Sequence, residues 1–132
     1  MASRGLADTS VFVAAESGRP LGALADELSV ATITLTELEL GVLAAGEPAD
    51  RARRLRTLTD VRAAVEPLPL DEAVASRLAE LLAQLRATGR RPKVFDTIIA
   101  ATALHHELPV YTQDADFDAI AAAHPALDVR RV

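Results

Sequence analysis

The spacing of apolar positions changes repeatedly along the chain, and each change marks an element. "GLADTSVFVAAES" (5–17) opens with a short apolar run ending near Asp8 and continues at helical spacing, which predicts a buried strand and then a helix. "PLGALADE" (20–27) predicts a short helical segment started by Pro20. "SVATI" (29–33) predicts a second buried strand, and "TLTELELGVLAAG" (34–46) a helix closed by Gly41 or Gly46. "EPADRARRLRTLTDVRA" (47–63) predicts a polar, arginine-rich helix beginning just after Pro48. "AVEPLPL" (64–70) has the character of a connector or short strand, with prolines suited to a sheet edge.

The second half is more regular. In "DEAVASRLAELLAQLRATG" (71–89), Val74, Leu78, Leu81, Leu82 and Leu85 form one stripe at helical spacing, and Gly89 ends it. "FDTIIAATALHHE" (95–107) predicts another helix, "LPVYT" (108–112) a strand, "DADFDAIAAAHP" (114–125) a short helix and "LDVRRV" (127–132) a terminal strand. Strands alternate with helices throughout, which predicts an α/β sandwich around a mostly parallel sheet. No repeat or linker interrupts residues 1–132, so one domain is expected.

Composition narrows the setting. Half of the 132 residues are hydrophobic but only 3% are aromatic, so the core is built of small and branched side chains. There is no cysteine, which excludes disulfides and thiolate metal sites and favours a reducing cytoplasm. No apolar run approaches the roughly 20 residues of a membrane span, and the opening "MASRGLADTS" lacks a signal-like stretch. A soluble cytoplasmic protein with no membrane partner is expected.

The acids raise a sharper question. In "KVFDTIIAATALHH" (93–106), Asp96 stands at the head of a very apolar segment. Burying an ionised carboxylate costs several kcal/mol unless something pairs with it. Asp8, Glu37, Asp96, Asp114 and Asp116 all fall at expected strand ends or helix starts. Taken singly, each is well explained as a helix cap or dipole partner, and Thr34 with Glu37 has the spacing of a capping box. Taken together, they lie on the edge of a parallel sheet where ligands bind. If adjacent strands bring the carboxylates together, they repel one another unless a cation sits among them. An oxygen-only ligand set favours Mg²⁺ or Mn²⁺ over zinc. Thr9, Ser10 and Thr112 are hydroxyl residues placed to orient such carboxylates.

Four segments in order, "LADTSVFV", "TITLTELELG", "FDTIIAATAL" and "VYTQDADFD", span residues 6 to 118 and resemble the PIN-domain family, in particular the VapC-type toxins of bacterial toxin–antitoxin pairs. The resemblance implies a three-layer sandwich on a five-stranded, mostly parallel sheet. It also implies a Mg²⁺- or Mn²⁺-dependent endoribonuclease acting on RNA, homodimerisation, and inhibition by a cognate VapB-type antitoxin. Position by position, Asp8, Glu37, Asp96 and Asp114 match the family's catalytic, metal-holding acids, and Asp116 matches a further acidic position. Glu39 falls on a different helix face from Glu37 and is expected to be surface charge.

The formal net charge of −5 argues at first against an RNA substrate. Set the five proposed site acids aside, however, and the remaining acids equal the 14 bases in number. Those bases cluster at Arg51, Arg53, Arg54 and Arg56, and again at Arg86, Arg90, Arg91 and Lys93. The second cluster, leading into Asp96, is the better candidate for RNA phosphates; the first is expected to be a solvated helix face. Phe12, Phe95 and Phe117 are expected in the core, leaving no stacking platform for bases. His105 and His106 are adjacent and cannot chelate from one helix face. The Asp114, Asp116, Asp118 alternation lacks the glycine and closing glutamate of a calcium loop. Two other functions remain open: a catalytically idle PIN-like interaction module, and a Mg²⁺-dependent phosphotransfer domain. The second would need a lysine near the end of a late strand, whereas the lone Lys93 precedes a helix.

Overall fold

The computed structural model describes residues 1–132. Four short strands, β1 (Arg4–Ala7), β2 (Glu27–Ser29), β3 (Val110–Thr112) and β4 (Val129–Arg131), form a sheet in the order β2-β1-β3-β4 with every pairing parallel. Six helices complete the fold: α1 (Thr9–Ser17), α2 (Thr32–Ala44), α3 (Pro48–Ala64), α4 (Glu72–Ala87), α5 (Val94–His105) and α6 (Asp116–Ala123). The chain leaves β1 toward β2 on one side and returns to β3 on the other. The loops after β1 and β3 therefore diverge at a topological switch point.

Successive strand residues face opposite layers. Leu6 and Val110 join Val74, Leu81, Leu85, Ile99, Phe117 and Ile120 in one core under α4, α5 and α6. Ala7 and Tyr111 face the other way, against Val11 and Ala25. A separate cluster of Val30, Leu38, Val42, Leu58 and Val61 joins α2 to α3. Helices thus cover both faces of the sheet.

The five-stranded sheet expected from the resemblance is corrected to four strands. The segment 64–70 contributes a single parallel bridge, Leu68 to Ala31, with Leu68 N donating to the Val30 carbonyl and Thr32 N to the Leu68 carbonyl. Pro67 and Pro69 flank Leu68 and have no N–H with which to lengthen the ladder. The helix expected over 20–27 is also absent: these residues run irregularly into β2. They are tied to the C-terminus instead, where the Gln113 side chain donates to the Pro20 and Val132 carbonyls at 2.9 and 3.2 Å. The second strand ends at Ser29 rather than continuing through "SVATI", and α2 already starts at Thr32. Glu37 consequently lies in its second turn, Thr34 is no cap, and Gly41 is inside the helix.

Helix α5 answers why so apolar a segment exists. Asp96 through Ala103 are all buried, so the helix is enclosed around its whole circumference, chiefly by α4, α6 and α2. Its threonines return their hydroxyls to the backbone one turn earlier: Thr97 to the Lys93 carbonyl and Thr102 to the Ile98 carbonyl, both at 2.8 Å.

Candidate metal centre

The acidic residues come from different elements, and the sheet topology brings them together. Asp8 follows β1 and caps α1 through Ser10 N, while Asp114 follows the neighbouring strand β3. Asp96 projects from the first turn of α5, whose cap position is Lys93, so the capping role open to Asp96 does not apply. Carboxylate oxygens of Asp96, Asp114 and Asp116 all lie within 4.8 Å of one another. Asp8 and Glu37 flank this trio closely enough that their charges bear on Asp96.

Hydroxyls hold the flanking acids. Asp8, only 3% exposed, accepts on its Oδ2 from Ser10 Oγ at 2.7 Å, Thr112 Oγ1 at 2.9 Å and Ser10 N at 3.3 Å. None of these reaches Oδ1, which is left for another partner. Thr112 Oγ1 also accepts from Asp114 N at 2.9 Å, and Asp114 Oδ1 accepts from Asp116 N at 2.9 Å. Glu37 accepts from Thr9 Oγ1 at 2.8 Å. Lys93 Nζ forms an ion pair with Asp116, which holds its ammonium above the ordinary lysine range.

Asp96 is the anomaly. Its Oδ2 is buried and has no hydrogen-bond partner; among buried side-chain polar atoms only the Thr34 hydroxyl shares that condition. Burial first, then the charges of Asp8, Asp114 and Glu37, push its carboxyl from 3.8 up to about 7. Burial likewise raises Glu37, opposed by the Thr9 hydrogen bond and reinforced by Asp8 and Asp114. An unpartnered oxygen inside a converging acidic group fits a divalent cation, and the donors are all oxygen.

Several surrounding residues depart from expectation. Phe117 is fully buried and Phe12 partly so, but Phe95 is 39% exposed on the first turn of α5, so it is not core. Glu39 pairs with Arg62 on the surface, as expected of it. The first arginine cluster is not wholly a solvated face: Arg53 and Arg54 line a pocket together with Thr9 and Glu37. The sequence gives no sign of this inward turn, because it depends on how α2 and α3 pack. In the second cluster, Arg90, Arg91 and Lys93 line a pocket beside Asp96 and Asp116, and Arg86 stands outside it.

A parallel sheet whose switch point brings together Asp96, Asp114 and Asp116, with Asp8 and Glu37 at their flank, is an α/β scaffold whose acidic cluster could hold a cation. The chain belongs to the PIN-domain family, whose model matches residues 6–123. Its similarity within that family is to VapC-type proteins. Ribonuclease VapC5 of Mycobacterium tuberculosis (strain ATCC 25618 / H37Rv) is 46% identical over 121 residues, covering 90% of this chain and 89% of that protein. Ribonuclease VapC4 of the same strain is 44% identical over 128 residues, covering 96% and 95%. The crystal structure of VapBC-5 from Mycobacterium tuberculosis, a member of the VapBC family of toxin–antitoxin systems, matches with a TM-score of 0.84 at 40% identity over 98% of this chain and 99% of that one.

Proposed function

We propose that the chain is a metal-dependent endoribonuclease, the toxin of a toxin–antitoxin pair, neutralised by a cognate VapB-type antitoxin. The observation that carries this reading is the convergence of the Asp96, Asp114 and Asp116 carboxylates, with one buried Asp96 oxygen left without a hydrogen-bond partner. The relatives' names supply the activity and the pairing. Residues 1–132 act as one unit, as a homodimer in the cytoplasm; no helix is long and apolar enough to cross a membrane. Mg²⁺ is the working ion, with Mn²⁺ able to replace it.

Asp96, Asp114 and Asp116 would hold the ion, and Asp8 and Glu37 complete the catalytic acidic set. A bound divalent ion supplies Lewis-acid chemistry, activating water near neutral pH and neutralising charge that develops on the phosphate. The chain's own part is positional. Ser10 and Thr112 fix Asp8 so that its Oδ1 is free to face the site, and Thr9 fixes Glu37. Asp96, whose carboxyl is raised by burial and by the neighbouring acids, would hold an ion as the carboxylate. Lys93 partly balances the acidic group through Asp116.

The test incubates the chain, freed of any partner, with mixed cellular RNA in Mg²⁺, Mn²⁺ or chelator, with Asp96→Asn alongside. Discrete metal-dependent cuts that a folded Asp96→Asn protein no longer makes are expected. RNA left intact by the wild type in both metals, with no Mn²⁺ bound, would assign the acids to capping and the domain to binding.

A further inference from the structure

Arg53 and Arg54, neighbours on α3, differ in their partners. Arg53 is committed to carboxylates, meeting Glu16 at 3.3 Å and Asp50 at 2.6 Å. Arg54 is half-buried and meets no carboxylate; its Nη1 donates to the Gly41 carbonyl at 2.7 Å. A neutral carbonyl fixes a guanidinium without cancelling its charge, and guanidinium geometry is matched to phosphate. A half-buried cation held this way is preorganised for an anion that the chain itself does not provide.

Its location says which anion. Arg54 lines a pocket of about 230 Å³ together with Thr9 and Glu37, the hydrogen-bonded pair at the flank of the acidic centre. Glu16 and Arg53, also in its wall, offset each other. No aromatic side chain lines the pocket, so it offers nothing on which a base could stack. A separate pocket of about 260 Å³ carries Arg90, Arg91 and Lys93 and adjoins the centre through Asp96 and Asp116. Cationic groups therefore reach the acids along two routes.

We propose that Arg54 is a substrate-binding residue that holds a backbone phosphate of the RNA strand adjacent to the scissile bond. The strand crosses the acidic centre, and the Arg90, Arg91 and Lys93 pocket receives its continuation. This rests on the ribonuclease reading above. Because Arg54 contacts phosphate and no base, it contributes affinity at every sequence and selects none.

The experiment measures RNA cleavage by the full, partner-free chain in Mg²⁺ at several salt concentrations, for wild type, Arg54→Gln and Arg54→Lys, with each variant's melting temperature. Arg54→Gln is expected to raise KM about tenfold, as for loss of a charged hydrogen bond, with kcat nearly unchanged. Its log(kcat/KM) should fall less steeply with log salt, by about 0.7 in slope, the value for one phosphate contact on a single strand. Arg54→Lys should keep the wild-type slope, and the pattern of cut sites should be the same in all three. Wild-type KM and slope in Arg54→Gln would overturn the assignment. So would a raised KM with an unchanged slope and a lowered melting temperature, which is the signature of a purely structural bond to Gly41. If Arg54→Gln does not fold, Arg54→Lys decides: the wild-type slope with KM within threefold supports the assignment, and a tenfold rise in KM overturns it. Failure of the wild type to cut RNA in any metal would instead remove the ribonuclease reading, and the proposal with it.

Discussion

Asp96 concentrates the chemistry of the molecule in one side chain. Its carboxyl moves from 3.8 to about 7, so the folded chain binds its proton more tightly than the unfolded chain does. Between those two values the native state holds this proton and the unfolded state does not, so the contribution of Asp96 to stability falls as pH rises from about 4 toward about 7 and then levels off. The metal-free protein is therefore expected to melt at a lower temperature at pH 7.5 than at pH 5.5, and Asp96→Asn should flatten that difference. Melting curves across this range in chelator check both. Thr112 is the second informative residue, since its buried hydroxyl serves Asp8 and Asp114 at once. Thr112→Val should cost about 1–3 kcal/mol in stability and weaken Mn²⁺ binding by roughly 10–100-fold. Denaturant melts and calorimetric titration measure the two effects separately.

At the scale of elements, the sequence carried most of the helices because their signals are local. Asp71 caps α4 by accepting from Val74 N, and the stripe through Val74, Leu81 and Leu85 is buried. Helix α3 starts at Pro48 itself, one residue ahead of the expected start. The errors fall where tertiary partners decide. Residues 20–27 look helical by composition, but Gln113 and the C-terminal residues hold them in an irregular path. The fifth strand shrinks to one bridge because prolines stand on both sides of Leu68. Gly5 shows the same dependence on distant residues: a β-carbon there would run into the Tyr111 ring from the adjacent strand. Gly5→Ala is expected to destabilise the chain by about 1–3 kcal/mol, since the close-packed ring has to shift. Comparing denaturant midpoints tests this, and an unchanged midpoint would mean that the Tyr111 ring moves aside without cost.

At the scale of the whole molecule, function depends on a charge distribution that the net value of −5 conceals. The acids are gathered at the switch point between β1 and β3, and arginines line pockets on its flanks. Four of the five acids of this site were legible in the sequence because they fall near an element boundary, whereas Glu37 lies inside α2. Their convergence was not legible, since it requires the order β2-β1-β3-β4 and the burial of α5. The inward turn of Arg54 was hidden for the same reason. A repulsive acidic centre predicts a global response to a cation: at 100 times its dissociation constant Mn²⁺ should add about 2.7 kcal/mol, a melting shift on the order of 10 °C. Dispersed helix caps would leave the melting temperature where it is.

The most direct measurement is crystallographic. Crystals of the partner-free chain soaked in Mn²⁺ would be examined by anomalous scattering at the manganese edge, with Asp96→Asn crystals treated identically. The account predicts a peak within bonding distance of Asp96 Oδ2 and an Asp114 oxygen, weakened or lost in the variant. No peak at the acids, or one that leaves Asp96 Oδ2 unpartnered, would contradict it.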